Sequence, residues 1–430
     1  MNFPQEHALP TASGIARQAA APQNRIGWPR GLFLALVALF LLGLGYSTVY
    51  RTAWNDIERT DFTVYSAVGQ AVLDGANIYE AHNSRGWYYV YPPPFAVFMP
   101  VFAKLPLAWG SGLWYFVSLL AVVWSALWAV RLAREANPAL SASTDGWLLC
   151  EVPVFLASPW LASGLMRCQA SEFMVGLVIA AVYFWQRGRP ALGGASLAAA
   201  TLIKAFPLAL LAYFVWRRQW RFTVSFFLSL LLGALLLPGL VFGWQKNLDY
   251  WAEWGQLVAG PALSVQQQQA PDANKLYAQL LDAKKPRNQS LESLLLTFHT
   301  PPPLVKPVWA GLALAMLAWM LWQASKADAA SQLLVASAFL VWNLLIPPIS
   351  ESHYFGLMLL PLAVLTPIAL GDADRLARRL AYAALLLFFV ATLWSNLDKD
   401  MHLYRFLCWG SLAVWGCLMV LAQRRIQAAP

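Results

Sequence analysis

The feature that most constrains this chain is a series of apolar segments, each about 20 residues long, that recurs from Gly31 to Ala422. A bilayer has a hydrocarbon core about 30 Å thick, and a helix needs about 20 apolar residues to cross it. Hydrophobic residues make up 59% of the chain and charged residues only 12%, which is too little charge for an ordinary soluble domain. The sequence therefore predicts an all-α polytopic membrane protein with roughly 10–12 transmembrane helices.

The net charge of +9 comes from short basic clusters between the apolar segments, not from one basic module. This distribution argues against a nucleic-acid partner and is typical of cytoplasmic loops under the positive-inside rule. The clusters are Arg17/Arg25/Arg30, Arg131/Arg134, Arg187/Arg189, Arg217/Arg218/Arg221, Arg375/Arg378/Arg379 and Arg424/Arg425. We therefore expect a multi-pass protein of the cytoplasmic (inner) membrane with both termini in the cytoplasm.

The chain is predicted to have one membrane domain. Residues 1–30 are rich in Ala, Pro and Gln and lack a long apolar run, which favours a flexible cytoplasmic tail over a cleaved signal peptide. Residues 31–425 then form a single transmembrane domain. Within it, residues 51–91 are predicted to be the first extracytoplasmic loop and residues 242–306 a large second one.

Three stretches are predicted to deviate from simple crossings. In the first loop, apolar residues at helical spacing predict an interfacial helix over residues 61–73. Residues 92–107 contain two prolines besides the initial Pro-Pro-Pro run, so they form either a strained crossing or a re-entrant segment. Residues 190–216 lie between cytoplasmic arginines, which predicts two short helices that meet at an outer turn near Lys204 and Pro207.

On this topology the unusual polar residues converge on the extracytoplasmic side. An ionisable group at membrane depth costs about 2.5–3.5 kcal/mol on insertion scales, so such groups usually line a cavity and serve a function. The candidate site residues are Asp61, Tyr91, Arg167, Gln169, Glu172, Lys204, Arg287, Asn288, Gln289, Ser290, Glu351, His353 and Tyr354.

Several candidates also have a structural interpretation. Asp61 stands at a helix start, where its carboxylate could cap the first turn. Lys204 could snorkel to the headgroups, and Arg167 could anchor a helix at the interface. His353 could be an ordinary satisfied polar residue. Residues 288–290 could be a glycosylation sequon, a helix N-cap or a sugar contact.

Seven segments carry a family resemblance. In order they are DFTVY, DGANIY, YVYPPPFAVFMPVFAKLP, RCQASEF, GGASLAAATLIKAFPLALL, NQSLESLL and SESHYFGLMLLPL, and together they cover about residues 61–361. This ordered set resembles glycosyltransferase family 87, which looks like the polyprenyl-phosphate-mannose-dependent mannosyltransferases of the GT-C superfold. The resemblance implies a GT-C-like bundle with extracytoplasmic interfacial helices, a polyprenyl-phosphate sugar as donor, and a lipid or glycan acceptor.

The resemblance also implies residue roles. Asp61 would be the general base, Lys204 and residues 288–290 would belong to the site, and His353 would lie near the donor. The chain departs from the family at one motif. Relatives usually carry Gly-Gln-x-Asn, whereas this chain has Cys-Gln-Ala-Ser at residues 168–171, followed by Glu172. The transferred sugar is therefore either a mannose-like hexose or a pentose.

The residue types fit this chemistry independently of the family. When an acceptor hydroxyl attacks the anomeric carbon opposite the phosphate, configuration inverts, and one carboxylate is enough to take the proton. The leaving phosphate needs positive charge, for which Lys204, Arg167 and Arg287 are candidates. Glu172 and Glu351 could bind sugar hydroxyls. Since acidic residues show no metal-ligand spacing and the cysteines no paired spacing, we predict no metal, no cofactor and no disulfide.

Two other functions use the same features. A transporter or flippase for a lipid-linked sugar would bind the headgroup in the same polar cavity, although it would also need access from the cytoplasm, where the chain offers mainly basic clusters. A polymerase or ligase of surface polysaccharide would be expected to place its site in a large outer loop and would not require Asp61.

Overall fold

The computed structural model describes residues 28–55, 57–138, 147–260, 285, 287–329, 331–397 and 400–428. Over these residues the secondary structure is helical, and the β-pairings are two isolated bridges, His82 with Tyr88 and Asn288 with Glu351. The predicted all-α class is confirmed. Most of the predicted tail, residues 1–27, and the Gln run at 266–269 lie outside the described residues.

The α-helices follow one another with short connections. They are α1 (Trp28–Ala53), α2 (Phe62–Leu73), α3 (Pro93–Ala96), α4 (Met99–Ala103), α5 (Leu107–Ala136), α6 (Leu148–Met166), α7 (Ser171–Gln186), α8 (Pro190–Ile203), α9 (Leu211–Trp216), α10 (Trp220–Leu231), α11 (Leu237–Phe242), α12 (Trp244–Trp254), α13 (Leu291–Thr297), α14 (Pro302–Lys326), α15 (Gln332–Leu345), α16 (Leu359–Gly371), α17 (Arg375–Leu397) and α18 (Phe406–Ala428). Further 3₁₀ segments are Phe206–Leu210, Ser352–Met358 and Asp400–Tyr404, and π segments are Leu232–Leu236 and Gly255–Ala259.

Eight helical stretches of the described chain are long and apolar enough to cross a membrane. They are Gly31–Ala53, Leu107–Ala136, Leu148–Met166, Trp220–Phe242, Pro303–Lys326, Ser352–Gly371, Arg375–Leu397 and Phe406–Ala428. Six further apolar helices are shorter. The chain is therefore a multi-pass membrane protein, and the predicted total of 10–12 crossings requires some of the shorter helices to take part.

The chain divides into two compact units, Met1–Gly43 and Leu44–Pro430. The described part of the first unit is the beginning of α1, where residues 31–40 are all exposed. A helix with apolar residues exposed all round fits a lipid environment. The second unit holds every candidate site residue.

The irregular stretches have the short helices that the prolines predict. Residues 92–107 form α3 and α4, and the apolar stretch Pro93–Ala103 is only about 16 Å long at 1.5 Å per residue. Since this is about half the hydrocarbon thickness, the structure favours a re-entrant segment over a crossing. Farther along, α8 ends at Ile203, and the chain resumes as a 3₁₀ segment that contains Pro207. The predicted break at Lys204 is confirmed.

Close packing of α8 fixes where this break lies. A Cβ at Gly194 would overlap the carbonyl oxygen of Phe222, so only glycine lets α8 and α10 approach so closely. The main apolar core continues through α7, α15 and α16, and the side chains of α15 are buried from Leu333 to Leu345. Lys204 is thus attached to the most rigidly packed part of the chain.

A second apolar cluster holds α2. Its members include Phe62, Tyr65, Val68, Tyr89 and Trp114. In the same region, a Cβ at Gly69 would overlap the carbonyl oxygen of Met99, so α2 lies directly against α4. The helix predicted for residues 61–73 is confirmed, and its packing fixes the position of Asp61 just before its first turn.

A π segment joins the long helix Trp220–Phe242 to α12. In a π segment the regular i to i−4 hydrogen bonding is interrupted, and such segments are typical sites of a local role. Here the carbonyl oxygen of Ala234 accepts hydrogen bonds from Asn247 Nδ2 (3.1 Å) and Trp251 Nε1 (3.0 Å). Helix α12 in turn contacts the first loop, since the Trp254 indole donates to the carbonyl of Val90 (3.1 Å).

Candidate active site

The side-chain amide of Gln169 connects three other predicted site residues. Its Nε2 donates a short hydrogen bond to Asp61 Oδ2. Its Oε1 accepts from the Tyr91 hydroxyl (3.1 Å) and from Lys204 Nζ (3.4 Å). These residues precede α2, precede α3, follow α6 and follow α8, so four distant parts of the chain meet at one polar group.

Asp61 presents a half-buried carboxyl group. Its backbone carbonyl accepts from the amides of Val64 (3.0 Å) and Tyr65 (3.1 Å), but its side chain makes no capping hydrogen bond. The capping interpretation is therefore wrong, because the carboxylate turns to Gln169 instead. Burial, reinforced by the negative charge of Glu351, raises the pKa of Asp61 to about 7. A carboxyl group near half ionisation at neutral pH has the properties of a general base.

Lys204 is buried, with 8% of its surface exposed. Its ammonium group donates to Ser171 Oγ (3.0 Å) and Gln169 Oε1 and lies over the rings of Tyr354 (4.1 Å) and Tyr91 (5.5 Å). This enclosure rules out snorkelling. Burial lowers the pKa of Lys204 to about 8, while the negative charges of Glu351 and Asp61 oppose the shift. Lys204 is therefore mainly protonated at neutral pH.

Two contributors to this group were not among the predicted site residues. Ser171 replaces the Asn of the family motif, and its hydroxyl accepts the bond from Lys204. The hydroxyl of Tyr65 lies 2.9 Å from that of Tyr91. Tyr65 stands four residues after Asp61, one turn along α2, so helical spacing could have identified it. Ser171 follows Gln169 by two residues and was visible only as a departure from the motif.

The segment after Pro348 brings Glu351, His353 and Tyr354 to the same region. Tyr354 stacks on Phe206 with ring centroids 5.1 Å apart and lies under Lys204. Glu351 Oε2 lies 3.4 Å from His353 Nδ1. His353 is buried, and neither ring nitrogen has a hydrogen-bond partner within the described chain, so its interpretation as a satisfied polar residue is wrong.

The two predicted arginines are more accessible. Arg167 is half-buried at the end of α6, and Arg287 is exposed. Burial lowers the pKa of Arg167, the charge of Arg287 lowers it further, and Glu351 and Asp61 oppose this. The guanidinium groups therefore lie within electrostatic range of one another, as a phosphate-binding pair would.

Glu172 is buried at the start of α7. Its carboxylate packs against Gly164 of α6, where a Cβ would overlap it. Only 1% of its surface is exposed, and Oε2 has no hydrogen-bond partner within the described residues. Its position between two helices does not present it to a sugar.

Residues 288–290 are buried and hold the segment that carries Glu351. Asn288 Oδ1 accepts from the amides of Ser290 (3.1 Å) and Ser350 (2.9 Å). Gln289 donates to the carbonyl of His402 (3.2 Å). Ser290 Oγ accepts from the amide of Ser293 (3.1 Å), which confirms the N-cap interpretation. These bonds give the three residues a supporting position instead of direct contact with a donor.

The described residues contain no group of three or more His, Cys, Asp or Glu side chains arranged to hold a metal ion. The four cysteines are free thiols. The chemistry of the group around Gln169 thus has to be considered from its carboxylate, ammonium, amide and hydroxyl groups.

Comparisons with known proteins bear on this geometry. The polyprenol-phosphate-mannose-dependent alpha-(1-2)-phosphatidylinositol mannoside mannosyltransferase of Mycobacterium tuberculosis is 28% identical over 243 residues. The alignment covers 53% of this chain and 55% of the relative, so the chain spans about half the length of that protein. ArnT from Cupriavidus metallidurans, whose crystal structure holds undecaprenyl phosphate, is 14% identical with a TM-score of 0.39 over 90% of this chain and 77% of ArnT. That TM-score is too low to establish a common fold.

The family comparison is more extensive. Residues 89–348 match the model of glycosyltransferase family 87, which is more than half of the chain. The matched region contains Tyr91, Gln169 and Lys204, whereas Asp61 precedes it and Glu351 follows it. The chain belongs to glycosyltransferase family 87.

Proposed function

We propose that this membrane glycosyltransferase moves a mannose-like hexose or a pentose from a polyprenyl-phosphate donor to a hydroxyl group of a lipid or glycan acceptor, with inversion. The observation that carries the proposal is the pairing of a half-buried carboxyl group, Asp61, with a buried ammonium group, Lys204, at opposite ends of the Gln169 amide. The name of the M. tuberculosis relative supports the polyprenyl-phosphate donor.

Asp61 is the general base in this proposal. The acceptor oxygen forms a bond to the anomeric carbon while its proton passes to the Asp61 carboxylate. The bond between the anomeric carbon and the phosphate oxygen breaks, and its electron pair stays on the phosphate. The products are the glycosylated acceptor and the polyprenyl phosphate, with one proton on Asp61. One carboxylate suffices because phosphate leaves without being protonated.

Cationic groups compensate the charge that develops on the departing phosphate. Lys204 provides a desolvated ammonium group, and Arg167 and Arg287 provide guanidinium groups toward solvent. Charge-assisted hydrogen bonds to phosphate are strongest where water is excluded. Glu351, held beside His353 and by residues 288–290, supplies a partly exposed carboxylate for sugar hydroxyls.

The proposed site faces the outer side of the cytoplasmic membrane. The basic clusters that flank the apolar helices support cytoplasmic termini under the positive-inside rule. On that topology the first loop and the region of α12 are extracytoplasmic. Helix α12 carries Trp244, Trp251 and Trp254, and tryptophan is enriched at membrane interfaces.

The test uses purified protein reconstituted in liposomes with a polyprenyl-phosphate sugar and a panel of lipid acceptors. We expect a new glycosidic product from the unchanged protein and a loss of at least about 100-fold in Asp61→Asn. Asp74→Asn makes the same chemical change at the exposed opposite end of α2 and should keep normal turnover. Normal turnover in Asp61→Asn would remove Asp61 from the role, and net movement of the donor without product would favour a transporter.

A further inference from the structure

The Gln169 amide fits its surroundings in one orientation. A lysine ammonium group has only donors and a carboxylate has only acceptors. The carbonyl oxygen of the amide must therefore face Lys204 and its NH₂ group must face Asp61, as they do here. The flipped amide would place donor against donor and acceptor against acceptor.

Two tyrosine hydroxyls reinforce this orientation. The Tyr91 hydroxyl donates its proton to Gln169 Oε1 at 3.1 Å. Because a hydroxyl group has one proton, the Tyr65 hydroxyl must be the donor in the 2.9 Å bond to Tyr91. The sequence of donors runs from Tyr65 through Tyr91 to Gln169, and the amide then donates to Asp61. All three side chains are buried.

The backbone ties the same two residues together. The Asp61 amide donates to the carbonyl of Arg167 (2.9 Å), two residues before Gln169. The Gln169 amide donates to the carbonyl of Gly164 (3.0 Å), which closes the end of α6. Asp61 and Gln169 are therefore joined once through the backbone and once through their side chains.

We infer that Gln169 is a positioning residue for Asp61, and that it orients one carboxylate oxygen by hydrogen bonding and leaves the other for the acceptor. This inference rests on the proposed function of Asp61 as a base. It also reassigns Gln169, which the sequence placed among the donor-binding residues. Lys204, Tyr91 and Tyr65 contribute by fixing which end of the amide faces the carboxylate.

The direction of the effect on ionisation follows from the charged form that the bond favours. A donor to a carboxylate stabilises the ionised form, and loss of the bond to Gln169 therefore raises the pKa of Asp61 further. Other ionisable groups also face Asp61. They are Tyr65 on α2, Tyr91 before α3, Arg167 and Cys168 after α6, Glu172 on α7, Lys204 after α8, and Glu351 and Tyr354 in the segment after Pro348.

The test compares pH profiles of kcat/KM for the unchanged protein, Gln169→Met and Tyr91→Phe. Methionine keeps the approximate length of the side chain but cannot donate. We expect Gln169→Met to lower kcat by about 10- to 100-fold, to shift the acid limb to higher pH and to leave the donor KM within about threefold. Tyr91→Phe removes the bond that orients the amide and should shift the acid limb in the same direction by less, with Tyr65→Phe smaller again.

A second measurement does not depend on turnover. The infrared band of a protonated carboxyl group, assigned to Asp61 by its absence in Asp61→Asn, can be titrated in the membrane-reconstituted protein. In Tyr91→Phe the band should persist to higher pH than in the unchanged protein. This measurement decides the matter even if Gln169→Met does not fold.

The outcomes separate the inference from the function on which it rests. A raised donor KM in Gln169→Met, with the acid limb and the infrared titration unmoved, would overturn the positioning role and return Gln169 to donor binding. Unaltered titration of Asp61 in Tyr91→Phe would overturn it as well. Normal turnover of Asp61→Asn would instead overturn the proposed function.

Discussion

The ammonium nitrogen of Lys204 lies 4.1 Å from the centroid of the Tyr354 ring, which itself stacks on Phe206. A desolvated cation over an aromatic face is stabilised by up to about 2 kcal/mol. The ring therefore helps to keep a charge inside a buried group that would otherwise favour a neutral lysine.

Tyr354→Leu should remove this stabilisation, whereas Tyr354→Phe keeps the ring. We expect Tyr354→Leu to raise the donor KM by about tenfold, because a less stable ammonium group binds phosphate less well. Tyr354→Phe should stay within about threefold of the unchanged protein. Initial rates over a range of donor concentrations measure both. Equal effects of the two substitutions would show that the hydroxyl, and not the ring face, matters.

The activity should depend on pH in two limbs. Below the Asp61 pKa of about 7 the base is protonated, so kcat/KM falls as the pH decreases. Above the Lys204 pKa of about 8 the ammonium group loses its proton, so kcat/KM falls again as the pH rises. Initial rates between pH 5.5 and 9.5, at saturating acceptor and low donor, should give a narrow optimum between the limbs. A flat profile across this range would contradict the ionisation states assigned to the pair.

The conformation of Cys168 predicts a difference between two substitutions. Its φ is +53°, in the left-handed region that favours glycine, and the family pattern carries Gly at this position. Cys168→Gly should therefore be more stable than Cys168→Ala by about 1 kcal/mol, the reverse of the order in an ordinary helix. Thermal unfolding of the two variants in the same detergent compares them directly. A higher unfolding temperature for the alanine variant would contradict the prediction.

A methyl group at Gly164 should separate α6 from Glu172. The added Cβ would overlap the buried carboxylate, so we expect Gly164→Ala to lower stability by about 2 kcal/mol or more and to lower turnover, since Gln169 follows in the next turn. Gly416→Ala is the matched control, because it makes the same change within α18, where the new Cβ meets open space. Unfolding temperature and turnover of both variants provide the measurement. Equal behaviour of the two would show that the α6 contact tolerates the methyl group.

Much of the fold follows from local signals. The lengths of the apolar runs predict the long helices, and Pro207 predicts the break at Lys204 because it has no amide proton for the helical ladder. Asp61 and Gln169 could be identified as site residues because polar groups are costly between membrane helices. Their mutual bond could not, because it depends on how α2 packs against the end of α6.

The errors have the same physical origin. A helix start predicts that Asp61 caps its own first turn, but a distant amide competes for the carboxylate and prevails. The polar side chains of residues 288–290 resemble ligands of a sugar, yet they satisfy buried backbone groups of a segment about 60 residues away. Local patterns identify polar groups, while tertiary packing determines their partners.

The π segment of the helix Trp220–Phe242 has a mechanical consequence. The carbonyl of Ala234 anchors α12 through Trp251, and α12 anchors the backbone beside Tyr91 through Trp254. A tilt of that helix in response to bilayer thickness is therefore transmitted along a short, directional path to the hydroxyl that orients Gln169. The lipid composition of the membrane becomes a variable of the reaction, and the irregular turn is the point at which it acts.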